Sequence, residues 1–191
     1  MSQSKFDAVV IGGSAGAIDT LSLILPALPR GFAPPIFVAV HIPTTRPSLL
    51  AQLFNEKCLL DVKEAEDKTP IEPGVVYFAP PDYHLLVEST SLLTLSVDEA
   101  VNFSRPAIDV LFESAADVYE DRLLGVVLTG ANHDGAEGLK RVMAGGGDGL
   151  VQLPDTAYAV EMPRAALRAC PQAQSLTPAA IVDHLLHLAG C

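Results

Sequence analysis

The chain has 191 residues, of which 49% are hydrophobic, and its 12 basic and 23 acidic residues give a formal net charge of −11. This length suits one domain with a sizeable core, so we expect residues 1–191 to form a single domain. The acidic balance excludes a general nucleic-acid-binding protein, because such a protein needs a basic face to neutralise phosphates. No apolar run approaches the ~20 residues that cross a bilayer, and the N-terminus lacks the apolar stretch of a signal peptide. We therefore predict a cytoplasmic protein without membrane insertion.

The first third of the chain is predicted to alternate strands and helices. Val9, Val10 and Ile11 are β-branched or branched aliphatic residues that run into glycines, which is typical of a short buried strand. The predicted elements are a strand at 6–11, a helix at 17–28, a strand at 35–41, a helix at 47–55 and a strand at 59–62.

The middle of the chain holds three short apolar runs, at 74–79, 83–87 and 92–96. Proline, aspartate, serine and threonine separate these runs, and short strands joined by such turn residues predict antiparallel hairpins.

The alternation returns after residue 106. The predicted elements are a helix at 107–119, a strand at 124–129, a helix at 135–144, a strand at 149–153 and helices at 163–169 and 178–188. Strands that alternate with helices indicate a parallel sheet. We predict an α/β fold: a doubly wound, mostly parallel sheet with helices on both faces and an antiparallel hairpin edge.

A glycine-rich turn, Gly12-Gly13-Ser14-Ala15-Gly16, follows the first predicted strand. Three kinds of site use such a turn. A dinucleotide site needs G-x-G-x-x-G and an acidic residue after the second strand, whereas this second strand ends in His41. A phosphate-binding P-loop needs a Gly-Lys-Ser/Thr sequence, which is absent here. The third is a nucleophile elbow, in which Ser14 is exposed beside helix amides that can hold an oxyanion.

Ser14, His41 and Asp134 each follow a predicted buried strand. The carboxyl ends of neighbouring parallel strands meet at one crevice, so these three side chains share a site if their strands are close. Acyl transfer requires such a hydroxyl, an imidazole that takes its proton, and a carboxylate that orients the imidazole. The alternatives stay open: His133 and His84 compete for the role of base, and Asp134 is equally suited to capping the following helix.

Several separated blocks together resemble one family, the catalytic domain of bacterial chemotaxis protein-glutamate methylesterase (CheB). The blocks are Ile11-Gly12-Gly13-Ser14-Ala15-Gly16, Val40-His41-Ile42-Pro43, Val62-Lys63-Glu64-Ala65-Glu66-Asp67, Tyr77-Phe78-Ala79-Pro80-Pro81-Asp82-Tyr83-His84, Arg105-Pro106-Ala107-Ile108-Asp109-Val110-Leu111-Phe112, Leu128-Thr129-Gly130, Asp134-Gly135-Ala136 and Met162-Pro163-Arg164-Ala165-Ala166. So many ordered matches are more specific than any single motif.

The resemblance implies that Ser14 is the nucleophile, His41 the base and Asp134 the residue that orients the base. It implies hydrolysis of γ-glutamyl methyl esters on the helices of methyl-accepting chemoreceptors or a related methylated protein, with release of methanol. Deamidation of receptor glutamines is an implied second activity. The resemblance implies neither a metal ion nor an organic cofactor.

The chain departs from the family pattern at several positions. Members usually carry a receiver domain before the hydrolase, whereas this pattern begins within the first dozen residues; phosphorylation control would then need a separate receiver-domain protein. Ala15 replaces the usual threonine, and Ala131-Asn132-His133 replaces Met-Gly-Asn. Backbone amides at Ala15 and Ala131 remain candidates for holding the oxyanion. Ser104-Arg105-Pro106-Ala107 stands where the family often has His-Arg-Pro-Ser.

An acidic enzyme that acts on a glutamate-rich helix needs local basic residues. Arg105 and Arg164 are the substrate-binding candidates, with Arg168 as a third, although isolated surface arginines explain them equally well. Two other functions remain open from sequence: an esterase or amidase of the same fold with a different substrate, and a non-catalytic module that binds a receptor.

Overall fold

The computed structural model describes residues 5–42 and 49–188. Its strands are β1 (Ala8–Gly13), β2 (Ile36–Val40), β3 (Asp61–Glu64), β4 (Val75–Phe78), β5 (His84–Ser89), β6 (Leu92–Ser96), β7 (Leu123–Val127), β8 (Asp148–Gln152) and β9 (Gln174–Leu176). Its α-helices are α1 (Ala17–Ile24), α2 (Leu50–Asn55), α3 (Ile108–Tyr119), α4 (Ala136–Ala144), α5 (Glu161–Ala169) and α6 (Pro178–Leu188).

Seven strands form one parallel sheet in the order β3-β4-β2-β1-β7-β8-β9. Helices α3, α4 and α5 contribute to the core on one face, and α1, α2 and α6 contribute to the core on the other. The central strands are buried along their whole length, which is typical of parallel strands covered on both faces. The predicted fold class, a doubly wound and mostly parallel α/β sheet, is therefore confirmed.

The middle of the chain differs in detail from the hairpins that were predicted there. Residues 75–78 form β4, which lies inside the parallel sheet between β3 and β2. All four β4 residues are buried. A strand that is buried on both faces needs other elements packed above and below it, and a position inside the main sheet provides them. The hairpin of β5 and β6 is a separate two-stranded sheet that packs against α3, instead of an edge of the main sheet.

The other differences lie at the ends of elements. The predicted helix at 17–28 is α-helical as far as Ile24 and continues as a 3₁₀ turn over Leu25–Ala27, which contains Pro26. The predicted helix at 47–55 begins at Leu50, and its first residues, 47 and 48, lie outside the described residues. Strand β9 was not predicted, because its three residues are too few and too polar to give a pattern. No helix within the described ranges is long and apolar enough to span a bilayer.

The order of the strands determines where the site forms. Strand β1 pairs with β2 on one side and with β7 on the other. The strands that follow β1 in the chain are therefore added first on one side of it, from β2 to β4, and later on the other side, from β7 to β9. In open α/β sheets, ligand sites form at the carboxyl ends of the strands where the strand order changes direction in this way. Gly12 on β1 also lets α3 approach closely, since a Cβ there would lie 2.2 Å from Cγ2 of Ile108.

Candidate active site

Ser14 lies at the carboxyl end of β1, in the turn that leads into α1. Gly16 in this turn has φ +82°, a left-handed conformation that favours glycine. The Ser14 N–H donates to the Thr129 carbonyl at 2.9 Å, and the His41 N–H donates to the Gly13 carbonyl at 3.1 Å. These bonds place the residues that follow β1, β2 and β7 at one edge of the sheet, with Ser14 half-buried between its neighbours.

His41 and Asp134 form a close, sheltered pair. His41 Nε2 lies 2.7 Å from Asp134 Oδ2, and the side chains are 13% and 0% exposed respectively. The sequence separates these residues by 93 positions, and the parallel pairing of β2, β1 and β7 brings them together. This contact agrees with the role predicted for Asp134, which is to orient the imidazole.

The Asp134 carboxylate accepts three further hydrogen bonds. Oδ2 accepts the Ile108 N–H at 2.6 Å, while Oδ1 accepts Asn102 Nδ2 at 2.9 Å and the Asp109 N–H at 3.1 Å. Burial by itself raises the pKa of Asp134, but the hydrogen bonds from His41 and these donors outweigh it and lower the pKa below its ordinary value. Asp134 is therefore ionised at neutral pH and stabilises positive charge on His41.

Asn102 and Asp109 lie at this site although the sequence did not predict them to be there. Asp109 is buried at the start of α3, where its Oδ1 accepts the N–H groups of Gly135 and Gly138. The Asn102 amide nitrogen donates to Asp109 Oδ2 at 2.7 Å and also to Asp134. Burial and the negative charge of Asp134 raise the pKa of Asp109 above its ordinary value, although the hydrogen bonds that its carboxylate accepts act to lower it. One amide group thus bridges two buried acids.

The hydroxyl of Ser104 is a further neighbour of the imidazole. Its Oγ lies 3.4 Å from His41 Nδ1, whereas within the described part of the chain Ser14 makes no side-chain hydrogen bond to His41. Catalytic hydrogen bonds are often long before substrate binds, so this geometry is compatible with either serine facing the base. A variant of each serine distinguishes them.

The backbone N–H groups of Ala15 and Ala131 were the predicted oxyanion donors. Neither donates a hydrogen bond to any residue in the described ranges. Thr129 supports this edge: its Oγ1 donates to the Ala15 carbonyl at 2.9 Å and accepts the Ala159 N–H at 2.9 Å. Both predicted amides are therefore available to a ligand.

The competing histidines have other surroundings. His84 is buried, its Nδ1 accepts the Ala107 N–H at 3.1 Å, and its Nε2 lies 3.0 Å from the Glu99 carbonyl. Both of its ring nitrogens are therefore occupied, Nδ1 by the residue that precedes α3 and Nε2 by the loop that follows β6. His133 is exposed, and its Nε2 lies 3.2 Å from Asn102 Oδ1. Neither histidine contacts Asp134 as His41 does.

The two arginine candidates also differ. Arg105 Nη2 lies 2.7 Å from Asp82 Oδ1, and Nη1 donates to the carbonyls of Val97 and Asp98. Its guanidinium is thus committed to holding a loop. Arg164 is exposed on α5, and its side chain makes no ion pair with any residue the structure describes. Of the two, Arg164 is the one whose charge is available to a ligand.

Comparisons with known proteins show the family to which the chain belongs. The sequence profile of the CheB methylesterase family matches residues 9–185. The chain belongs to the CheB methylesterase family. A relative in Leptospira interrogans, named a putative protein-glutamate methylesterase/protein-glutamine glutaminase, is 49% identical over 165 residues, which are 86% of each chain. A Thermotoga maritima protein-glutamate methylesterase/protein-glutamine glutaminase is 35% identical over 83% of this chain, but the match spans only 47% of that protein.

The fold of this CheB-family chain is close to that of a solved relative. The crystal structure of the Thermotoga maritima CheB methylesterase catalytic domain superposes with a TM-score of 0.90 at 32% identity, covering 98% of this chain and 100% of that domain. The chain therefore has the architecture of a CheB catalytic domain. Within the described residues, no group of three or more His, Cys, Asp or Glu side chains has an arrangement suited to a metal ion.

Removing the bridging amide is expected to destabilise this CheB-family chain in a pH-dependent way. Asn102→Ala deletes hydrogen bonds to two buried carboxylates, each worth about 1.5–3 kcal/mol. Because Asn102 favours the charged forms, the loss is largest at pH 7 and shrinks near pH 4 and below, where one acid takes up a proton. Urea denaturation at both pH values measures the free energy of unfolding.

The control is Asn132→Ala, which also removes an uncharged amide at this site; its Oδ1 accepts the Asp134 N–H at 3.1 Å and touches neither carboxylate. This variant should show a small effect that does not depend on pH. Equal destabilisation of Asn102→Ala at pH 7 and pH 4 contradicts the assigned role of the amide.

Proposed function

We propose that this chain is a single catalytic domain that hydrolyses γ-methyl esters of glutamate on chemoreceptor helices, or on a related methylated protein, and releases methanol. Deamidation of glutamine side chains at such sites is a second reaction of the same machinery. The observation that carries the proposal is the sheltered His41–Asp134 pair at the sheet edge that also carries Ser14. Membership of the CheB methylesterase family supports it.

The proposed mechanism uses one nucleophile and one base. Nε2–H of His41 donates to Asp134, so Nδ1 carries the lone pair and takes the proton of Ser14 as its oxygen attacks the ester carbonyl. The N–H groups of Ala15 and Ala131 hold the resulting oxyanion. The carbon–oxygen bond to the methoxy group then breaks, and His41 returns the proton to form methanol. Water repeats the sequence on the acyl-enzyme and restores the free Ser14 hydroxyl and a glutamate carboxylate.

The substrate assignment is tested with membranes that contain a chemoreceptor carrying radiolabelled methyl esters. We expect the protein to release labelled methanol from them, at a rate proportional to its concentration. The control is the same membrane preparation with heat-inactivated protein, which reports spontaneous hydrolysis.

The negative outcomes separate two other readings. If no methanol is released but a fluorophosphonate labels Ser14, the enzyme acts on another ester or amide and the substrate assignment is wrong. If neither occurs, the chain is a binding module and the proposed reaction is wrong.

A further inference from the structure

Phe103 is a bulky side chain in a turn whose backbone favours glycine. Val101 and Ser104 exchange backbone hydrogen bonds of 3.1 and 2.9 Å across this turn. The two central residues, Asn102 and Phe103, have φ angles of +51° and +60°. Two successive positive φ angles define a type I′ turn, for which Asn-Gly is the favoured sequence. Asparagine occupies its usual place, but phenylalanine stands where glycine is favoured.

The Phe103 side chain gains no burial in return for this conformation. It is 101% exposed, the largest exposure among the large hydrophobic residues that the structure describes. An unfavourable backbone conformation and a fully exposed aromatic ring are both costs to the free protein. Residues held in unfavourable backbone conformations cluster at functional sites. We therefore expect Phe103 to serve the function of the protein and not its stability.

The turn is anchored directly to the proposed catalytic groups. Asn102 donates to Asp134, and Ser104 Oγ lies 3.4 Å from His41 Nδ1. Phe103 is the residue between these two anchors, so the turn that contacts His41 and Asp134 also carries its fully exposed ring.

A second exposed aromatic residue lies beside the same sheet edge. Tyr158 is 83% exposed, and its Cβ is 2.5 Å from where a Cβ on Gly16 would be. Tyr158 therefore packs on the turn that carries Ser14, while Phe103 belongs to the turn that contacts His41 and Asp134. Aromatic residues at two sides of a reactive centre are suited to holding a large ligand, because aromatic rings are frequent anchors in protein–protein contacts.

We propose that Phe103 is a docking residue that packs on the apolar side chains flanking the esterified glutamate of a helical protein substrate. This inference rests on the proposed function. A helix presents residues three and four positions away on the same face as the reacting side chain, so a ring beside His41 meets those neighbours. The net charge of −11 means that this enzyme gains little general attraction for an acidic helix. Apolar contact therefore carries more of the recognition.

The test compares a protein substrate with a small one. In Phe103→Gly, the turn receives its favoured residue and the ring is lost, so thermal stability should equal or exceed that of the wild type. We expect kcat/KM for methylated receptor membranes to fall about 10-fold or more relative to kcat/KM for p-nitrophenyl acetate, since burial of a phenylalanine side chain typically contributes such a factor. Phe103→Leu keeps an apolar side chain and should lose less.

Leu23→Ala provides the matched control, because Leu23 is a 63% exposed apolar residue on α1. It should leave both activities at the wild-type level. If the wild type is active on both substrates and Phe103→Gly leaves the ratio of the two activities unchanged, the docking role alone is wrong. Equal losses on both substrates also overturn it, because they indicate displacement of His41. A wild type that hydrolyses p-nitrophenyl acetate but not the methylated receptor overturns the docking role together with the proposed function.

Discussion

Ser14→Ala is expected to lower kcat for methyl-ester hydrolysis roughly 10⁴-fold or more, because the proposed reaction begins with the Ser14 hydroxyl. The change removes one oxygen from a half-buried residue and leaves the glycines of the turn in place. Folding stability should therefore remain close to that of the wild type. Methanol release measures the reaction, and fluorophosphonate labelling followed by peptide mapping identifies the serine that reacts.

Ser104→Ala is the matched control, since it removes the same atom from the other serine beside His41. Ser104 Oγ lies 3.4 Å from Nδ1 of His41, at the outer limit of a hydrogen bond. We expect this variant to lose less than about 10-fold in kcat, because only a weak contact disappears. The reverse pattern, with Ser14→Ala active and Ser104→Ala inactive, would assign the nucleophile to Ser104 and contradict the proposed mechanism.

Asp134→Asn is expected to lower kcat by roughly 10⁴-fold, the size of effect typical when the acid of such a triad becomes an amide. Each oxygen of the Asp134 carboxylate accepts two hydrogen bonds, from His41 and Ile108 at Oδ2 and from Asn102 and Asp109 at Oδ1. An asparagine has one oxygen, so in either orientation its NH₂ group faces two donors. The imidazole loses both its orienting acceptor and the charge that stabilises its protonated form.

The same substitution should change how stability depends on pH. A carboxylate whose pKa is lowered on folding contributes stability that is present above its unfolded pKa and is lost as the pH falls through its folded pKa. The lowered pKa of Asp134 places this loss below the ordinary range of an aspartate. Asp134→Asn removes the contribution, so its destabilisation should be larger at pH 7 than at pH 3.

Activity measured at pH 7 on protein shown to be folded by circular dichroism separates the catalytic effect from unfolding. Asp19→Asn, an exposed acid on α1, is the charge-matched control and should behave as the wild type. Folded Asp134→Asn protein that retains activity within 10-fold of the wild type would contradict the role assigned to this carboxylate.

Much of the site was predictable because its main residues occur at strand ends. The glycines around Ser14 mark a turn after a buried strand, and His41 and Asp134 also follow apolar runs. In a parallel sheet, the ends of such strands meet at one edge whatever the details of packing. The expectation that His41 and Asp134 share one edge of the sheet needed only that topology, and Nε2 and Oδ2 of the two side chains lie 2.7 Å apart. The catalytic roles of these residues stay predictions.

Asn102, Ser104 and Asp109 were missed because no periodic pattern indicates their positions. Asn102 and Ser104 belong to a short turn after the hairpin, and the path of that turn depends on how the hairpin packs on α3. Asp109 is an acid in the first turn of a helix, a place where acids are common for reasons of local charge alone. Only the packed structure shows that its carboxylate is buried against Asn102 and the start of α4.

The sequence by itself determined the alternation of strands and helices, the doubly wound class, and the strand ends that carry Ser14, His41 and Asp134, because hydrophobic periodicity and turn chemistry are local properties of the chain. Only the tertiary structure decided that β4 lies inside the sheet, that one amide bridges Asp109 and Asp134, and that the fully exposed Phe103 lies in the turn that contacts His41. These features arise from contacts between segments far apart in the chain, whose geometry depends on the packing of the whole domain.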